Sequence, residues 1–242
     1  MRAIWKACAV GSRSLILAIE TSGDACAALI RDGEHECARI VEQLGRGHAE
    51  RIVPMCGEAV DAASVEWRAL TDIAVAVGPG SFAGVRAGVA AARGFALSLG
   101  VRAHGVTTLE AIAGDAEVTG TSEIVAVLPG PRGQAFAQVF RGGPITDARF
   151  GAPAELARSL QWSEGAVFAG PGAPAFAEAV GATDRVARDA SPDVGAIARL
   201  ALARIARGEH RPAEPFYLRG ADAKPGRAPL DRLRARPASE VA

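Results

Sequence analysis

Asp72-Ile-Ala-Val-Ala-Val-Gly-Pro-Gly-Ser-Phe-Ala-Gly-Val-Arg86 is the stretch on which the fold turns. Residues 73–77 form a short apolar run of the kind a buried sheet strand shows. Gly78-Pro79-Gly80 breaks it with strong turn residues, and Ser81 stands where a helix N-cap stands. A helix is expected over Phe82–Leu99, carrying Ala83, Gly84, Ala87, Gly88, Ala90, Ala91, Ala92, Gly94 and Ala96. Glycine inside a helix costs about 1 kcal/mol relative to alanine. A helix that holds several glycines gains something from close backbone approach. The stretch is therefore a candidate ligand site, packing seam or protein interface.

Ligand templates fit it poorly. A P-loop needs a lysine after its last glycine to reach the terminal phosphates, and here the nearest cation is Arg86. A dinucleotide turn needs G-x-G-x-x-G, and Gly78, Gly80 and Gly84 run one residue too long. A nucleophile elbow needs G-x-S-x-G, which Gly80-Ser81-Phe82-Ala83-Gly84 does not supply. Spacing alone leaves a sharp strand-to-helix turn.

The 242 residues are enough for one large or two ordinary domains. The chain is 49% hydrophobic with 28 Gly and 14 Pro, a globular composition. Its 27 basic and 27 acidic residues cancel, so no whole-chain field draws it to nucleic acid. No apolar run approaches the roughly 18 residues that a membrane span needs. Arg2, Lys6 and Arg13 interrupt the N-terminal apolar patch, which is expected to be a flexible extension over residues 1–13 rather than a signal peptide. Cys8, Cys26, Cys37 and Cys56 contain no C-x-x-C pair and suggest small buried hydrophobes in a reducing cytosol.

Residues 15–20, 25–30 and 36–41 read as three strands of an antiparallel meander, with Arg31-Asp32-Gly33 as a hairpin signal. A helix is expected over about 49–63, with Pro54 kinking it or delaying its start. A strand at 102–106 is followed by Thr107-x-x-Glu110, which has capping-box spacing. A second cycle starts near Glu123, with strands at 124–128 and 134–140, a short helix at 154–160, a strand at 166–169 and a second glycine turn, Gly170-Pro171-Gly172. Ser191-Pro192-Asp193 is expected to cap a helix that stops before Gly208. The tail after Gly220, rich in Pro and Arg, is expected to be disordered. Two successive α/β units suggest two lobes facing a cleft, with no clean repeat at the residue level.

Leu17-Ala-Ile-Glu-Thr-Ser22, Gly78-Pro-Gly-Ser-Phe-Ala-Gly-Val-Arg86, Thr107-Thr-Leu-Glu-Ala111 and Pro215-Phe-Tyr-Leu-Arg219 resemble the TsaB (YeaZ) family, in that family's order. The resemblance implies a two-lobed actin/Hsp70/sugar-kinase-like (ASKHA) α/β fold, each lobe a mixed sheet with helices. The lobes would be residues 14–106, carrying the dimer seam, and 107–219, whose late helix packs back on the first lobe; 220–242 would be the tail. It further implies a cytoplasmic role in tRNA modification, the transfer of a threonylcarbamoyl group to N6 of adenosine 37 in ANN-decoding tRNAs. The chain would be a required but non-catalytic subunit, pairing with and activating a TsaD-like catalytic subunit. A TsaE-like ATPase would join them, tRNA would be met through the complex, and a homodimer is the alternative pairing.

No catalytic or metal-ligating residue is assigned. A D-x-G-[ST] phosphate loop of this fold is replaced by Glu20-Thr21-Ser22-Gly23, so Glu20, Thr21 and Ser22 are read as a degenerate nucleotide site. A loop that often reads D-A-R in the family keeps Arg132 and loses the acid. His48-Ala-Glu-Arg-Ile52 keeps one imidazole where a metal-binding H-x-x-x-H needs two, and His35, His104 and His210 form no pair at helical spacing. No tightly bound cofactor is expected, with ATP or ADP at the partner interface as the open alternative. The seam implied by the resemblance involves His48, Ile52, Met55, Ser81, Phe82, Gly84, Val85 and Gly88. The competing readings are an ATPase or sugar-type kinase of the same fold, which needs Glu20 as its acid, and a metallopeptidase, which needs His48 to find a partner.

Overall fold

A computed structural model describes residues 14–116 and 123–218. The expected N-terminal extension, the expected tail and Arg219 lie outside the described residues. β1 (Leu15–Glu20), β2 (Ala25–Asp32) and β3 (His35–Gln43) form the antiparallel meander that the hairpin signals predict. β4 (Asp72–Ala76) pairs parallel with β1, and β5 (Arg102–Val106) parallel with β4, giving the order β3-β2-β1-β4-β5. Parallel neighbours need a crossover, and α2 (Phe82–Leu99) supplies the one between β4 and β5. α1 (His48–Ala62) connects β3 to β4.

Every residue of β1 is buried because helices cover both faces of this sheet. Leu17 and Ile19 pack with Ile52, Met55 and Cys56 of α1 and Val85 and Val89 of α2. Ile16 and Ala18, pointing the other way, pack with Ile197, Ala198 and Ala201 of α6 (Val194–Ala206).

The second sheet repeats the plan. β6 (Ile124–Pro129), β7 (Ala135–Phe140) and β8 (Arg149–Gly151) are antiparallel neighbours, and β9 (Val167–Ala169) and β10 (Val186–Arg188) add parallel strands. The order β10-β9-β6-β7-β8 is the first sheet's order read from the other edge. α4 (Pro153–Ser159) and α5 (Ala173–Val180) cover one face through Leu156, Phe176 and Ala177. The other face is covered by Leu109, Ile112 and Ala113 of α3 (Thr108–Ala116). Each sheet's last helix therefore crosses to the other sheet: α3 follows β5 but packs on β6, and α6 follows β10 but packs on β1. The fold is the two-lobed ASKHA-like α/β arrangement.

Local chemistry explains most boundaries. Ser81 caps α2, its Oγ accepting from the Gly84 N–H at 3.2 Å. Thr107 and Glu110 close the capping box at α3, with Glu110 N–H on Thr107 Oγ1 at 3.1 Å and Thr107 N–H on Glu110 Oε2 at 2.8 Å. Two expectations shift. α1 starts at His48 and runs through Pro54. Asp193 rather than Ser191 caps α6, because its Oδ1 lies 2.7 Å from the Gly195 N–H. Cys26 and Cys56 are free and buried, whereas Cys37 is disulfide-bonded, which the reading of four small thiols did not foresee. Among the described residues no helix is long and apolar enough to cross a membrane.

Ile197 is fully buried between the first sheet and α6. Ile197→Ala should lower the unfolding free energy by about 3 kcal/mol in urea titrations. A loss below about 1 kcal/mol would mean that α6 does not belong to the first lobe's core.

Candidate functional site

Three of the sequence motifs that carry the resemblance meet at the turn after β1, and the fourth joins them beside it at Val77. Glu20 is 2% exposed. Its Oε1 accepts from the Ser22 N–H at 2.5 Å, the Ser22 hydroxyl at 2.6 Å and the Gly23 N–H at 3.3 Å. Its Oε2 is buried with no hydrogen-bond partner. Burial pushes the Glu20 carboxyl up to about 7, against the lowering effect of those three donors. The loss of water around a buried charge outweighs three good hydrogen bonds concentrated on one oxygen.

The Gly78–Arg86 motif presses directly on this turn. The Ser81 N–H donates to the Ser22 carbonyl at 2.7 Å. A Cβ on Gly80 would collide with that same carbonyl oxygen, one on Gly84 with the Thr21 carbonyl, and one on Gly88 with Thr21 Oγ1. The Thr21 hydroxyl in turn donates to the Gly84 carbonyl at 2.8 Å. The third motif closes the knot from α3: Thr108 Oγ1 donates to Ser22 Oγ at 3.0 Å, and Thr108 N–H to the Gly78 carbonyl at 3.0 Å. The fourth joins through Phe216, whose N–H donates to the Val77 carbonyl at 2.7 Å.

This geometry bears on phosphate chemistry. Backbone N–H groups of such a turn are what a phosphate would use. Here the Ser22 and Gly23 N–H groups are satisfied by the chain's own Glu20 carboxyl. Glu20, Thr21 and Ser22 are each at most 2% exposed, and α2 sits against them without the clearance a side chain would need. The residues present do not fit a nucleotide phosphate held in this turn. Among the described residues no group of three or more His, Cys, Asp or Glu is placed to hold a metal ion.

The residues named for a seam are divided by the structure. Ile52, Met55 and Val85 lie in the first lobe's own core. His48, Gly84 and Gly88 are buried as well. Gly84 and Gly88 are not, as expected from sequence, small residues of a partner seam: the close approach they permit is to Thr21 of the same chain. Only Ser81 and Phe82 of that set are exposed. The outward face of α2 carries a second small-residue row, Ala83, Ala87, Ala90 and Gly94, at spacings of three and four residues. No atom lies within 4 Å of a Cβ placed on Gly94. Leu97 at 86% exposed and Phe82 at 51% add apolar surface to α2, and Val53 of α1 is likewise 51% exposed.

Two further features were not identified from sequence. Arg86 stacks 3.8 Å from the centroid of the Phe82 ring and donates from Nε to Tyr217 Oη at 2.9 Å, and the Phe82 and Tyr217 rings lie 5.5 Å apart. The only sequence signal was that Phe82, Arg86 and Tyr217 all belong to the motifs of the resemblance. His104 and His210, which are 106 residues apart, bring their Nδ1 atoms within 3.3 Å. No spacing rule finds such a pair. Arg132, the residue kept from D-A-R, is exposed with φ of 58°.

A family model described as TsaD, tRNA N6-adenosine threonylcarbamoyltransferase, matches residues 40–189, more than half of the chain. An uncharacterized protein of Mycobacterium leprae is 30% identical over 148 residues, 59% of this chain and 40% of that protein. The tRNA threonylcarbamoyladenosine biosynthesis protein TsaB of Escherichia coli is 33% identical over 123 residues, 50% of this chain and 52% of that protein. The chain thus spans about half, or less, of the length of these curated relatives. A solved Pseudomonas aeruginosa structure, described as similar to peptidase YeaZ, superposes with a TM-score of 0.74 at 27% identity, over 85% of this chain and 100% of that one.

Two predictions follow from the knot. Gly84→Ala should lower the thermal midpoint sharply, whereas Gly94→Ala, with open space around it, should raise stability by up to about 1 kcal/mol; equal effects would show that the inner and outer rows are misassigned. For Glu20, the folded state holds a proton that the unfolded chain releases at its ordinary 4.5. The Glu20 contribution is therefore present below pH 4.5 and is lost as pH rises through about 7, a change on the order of 3 kcal/mol. Glu20→Gln removes that titration, so its stability relative to the parent should grow between pH 5 and pH 8 in denaturant melts. Parallel pH curves for the two proteins would mean that Glu20 is already ionised in the fold.

Proposed function

The chain belongs to the TsaB (YeaZ) family, and from that premise we propose that it serves tRNA threonylcarbamoyladenosine biosynthesis as a non-catalytic subunit that pairs with and activates a TsaD-like catalytic subunit. The observation that carries the non-catalytic half is the self-occupied turn. The Ser22 and Gly23 donors, which phosphoryl chemistry would need, are used by Glu20. An ATPase or kinase reading would require the turn to open and Glu20 to reach a metal past α2. A metallopeptidase reading would require a second ligand beside His48, which is buried.

The partner half rests on the outer face of α1 and α2. Ala83, Ala87, Ala90 and Gly94 let another helix approach closely, while Val53, Phe82 and Leu97 offer apolar contact. Arg86 and Tyr217, an arginine and a tyrosine held together at the edge, are the residue types most enriched among interface hot spots. We place the seam on this outer row. A TsaE-like ATPase and tRNA would be met through the assembled complex, and any ATP or ADP would sit at the partner interface rather than in the first turn. A homodimer through the same face is the state in the partner's absence.

The test is co-expression with the TsaD-like protein of the same cell. A complex should elute together on size exclusion, and threonylcarbamoylation of tRNA should need this chain. The isolated chain should not hydrolyse ATP. Ala90→Glu and Leu97→Glu, both on exposed positions, should keep the parent's melting behaviour and weaken the complex at least tenfold. Unchanged affinity in both folded variants would put the seam elsewhere.

A further inference from the structure

The segment after α6 crosses the first lobe as a strap. Its backbone extends the edge of β5: Pro212 bridges His104 in antiparallel fashion, and the Gly105 N–H donates to the Arg211 carbonyl at 2.8 Å. Gly105 must be glycine here, because a Cβ would stand 2.6 Å from the Pro212 carbonyl oxygen. Ala213 is buried, and Phe216 bonds to Val77. The strap then delivers Tyr217 to Arg86 and Phe82. The outer face is therefore composite, and its edge is complete only when the strap is docked.

At the base of the strap stands a chain of titratable groups. Asp72, at the start of β4, lies 2.8 Å from Nε2 of His104, which is 3% exposed. His104 Nδ1 meets His210 Nδ1 at 3.3 Å, with the two ring planes nearly perpendicular. The contact needs one proton between the two nitrogens. With both rings neutral, His104 Nε2–H faces Asp72 and its Nδ1 accepts from His210. With one proton added, charged His104 donates both ways, to Asp72 and to a neutral His210. With both rings charged, two N–H groups point at each other and the hydrogen bond is lost.

We propose that Asp72, His104 and His210 form a proton-operated latch, which holds the strap while at most one imidazole is charged and releases it when both are. The other charged groups around it do not offset a second positive ring. Arg102 on β5 adds positive charge beside His210. Glu110 of α3 is already engaged by Arg204 at 2.6 Å and Arg211 at 3.0 Å, and Glu209 by Arg207 at 2.7 Å. Among the described residues Asp72 is the acid that favours the charged form of His210, and it is itself hydrogen-bonded to His104. In the docked strap His210 stays exposed on one side but is held below its ordinary 6.5, by partial loss of hydration first and then by His104 and Arg102. A free strap binds that proton more readily, so docking is fully favoured above pH 6.5 and weakens as pH falls below it.

The consequence for partner binding rests on the seam placement proposed above; the latch itself does not. Hydrogen exchange on the isolated full-length chain tests the latch, with rates corrected for the intrinsic pH effect. Peptides covering 102–106 and 209–218 should lose protection between pH 7.5 and pH 5.5, while β1 keeps its own. His210→Asn places an amide at the Nδ1 position that can donate or accept and does not titrate. It should keep the strap protected at both pH values. Protection in the parent that is unchanged with pH, or an Asn variant that loses protection as the parent does, would overturn the latch. Affinity for the TsaD-like subunit should fall with acid in the parent and less so in His210→Asn. If the strap opens as described but affinity does not follow, the coupling to the partner face is wrong and the latch stands alone.

Discussion

One carboxyl oxygen, Oε1 of Glu20, is the point from which the rest of the molecule is organised. By accepting from Ser22 and Gly23 it curls the turn after β1 tightly enough for the Ser22 carbonyl to face the Ser81 N–H. That contact fixes where α2 begins, and the glycines at 80, 84 and 88 let the helix lie on the turn with no side chain between. Thr108 then ties the start of α3 to the same serine. Since α3 leaves to cover the second sheet, the junction of the two lobes is set by a turn in the first. The cost is a buried carboxyl whose second oxygen has no partner, and whose proton is held to about pH 7. The same bonds consume the donors that would make the turn an anion site. Structural tightness and phosphate chemistry compete here for the same N–H groups.

The sequence shows this knot only in outline. The strand at Ile73, the cap at Ser81 and the capping box at Thr107 and Glu110 are legible because each depends on a few adjacent residues. The inner and outer rows of α2 are not. Ala83 and Gly84, or Ala87 and Gly88, are neighbours in sequence and about equally small, so side-chain size gives no clue to which row touches the sheet. The apolar residues Val85 and Val89 mark the buried side, and reading them would have put Gly84 and Gly88 inward. β8 and β10 hold three residues each and, unlike β9 with its apolar Val-Phe-Ala, each includes an arginine that breaks the apolar run, and α5 opens on Ala-Pro-Ala, which carries no N-cap. The exchange of α3 and α6 between sheets, and the meeting of His104 with His210, are long-range facts with no local signature.

The two lobes have the same strand order and the same helix exchange, yet no residue-level repeat. The difference lies in what the first hairpin must do. After β1 the chain forms a turn whose first residues, Thr21 and Ser22, are buried where they receive α2 and α3. After β6, residues 131–133 form an exposed turn with Arg132 at positive φ. The lobes share backbone constraints, which many sequences satisfy, and differ in contact constraints, which few do. A duplicated fold can therefore lose its sequence symmetry wherever one copy acquires a packing duty that the other lacks.

That duty suits a subunit read as a partner rather than a catalyst. α2 is locked from within by the knot, so its outer face is presented on a rigid support, and an interface built on a rigid element loses little freedom on association. The edge of that face is less fixed. Tyr217 arrives on a strap that touches the knot through one backbone bond to Val77 and is otherwise held by β5 and by the Asp72–His104–His210 chain, which lie outside the knot. The face thus joins a part whose geometry is set by a buried acid and a part whose geometry depends on solvent-facing imidazole. Arg86 joins the two, stacked on Phe82 of the locked helix and bonded to Tyr217 of the strap. On the proposed reading, a partner that contacts Arg86 senses whether the strap is in place.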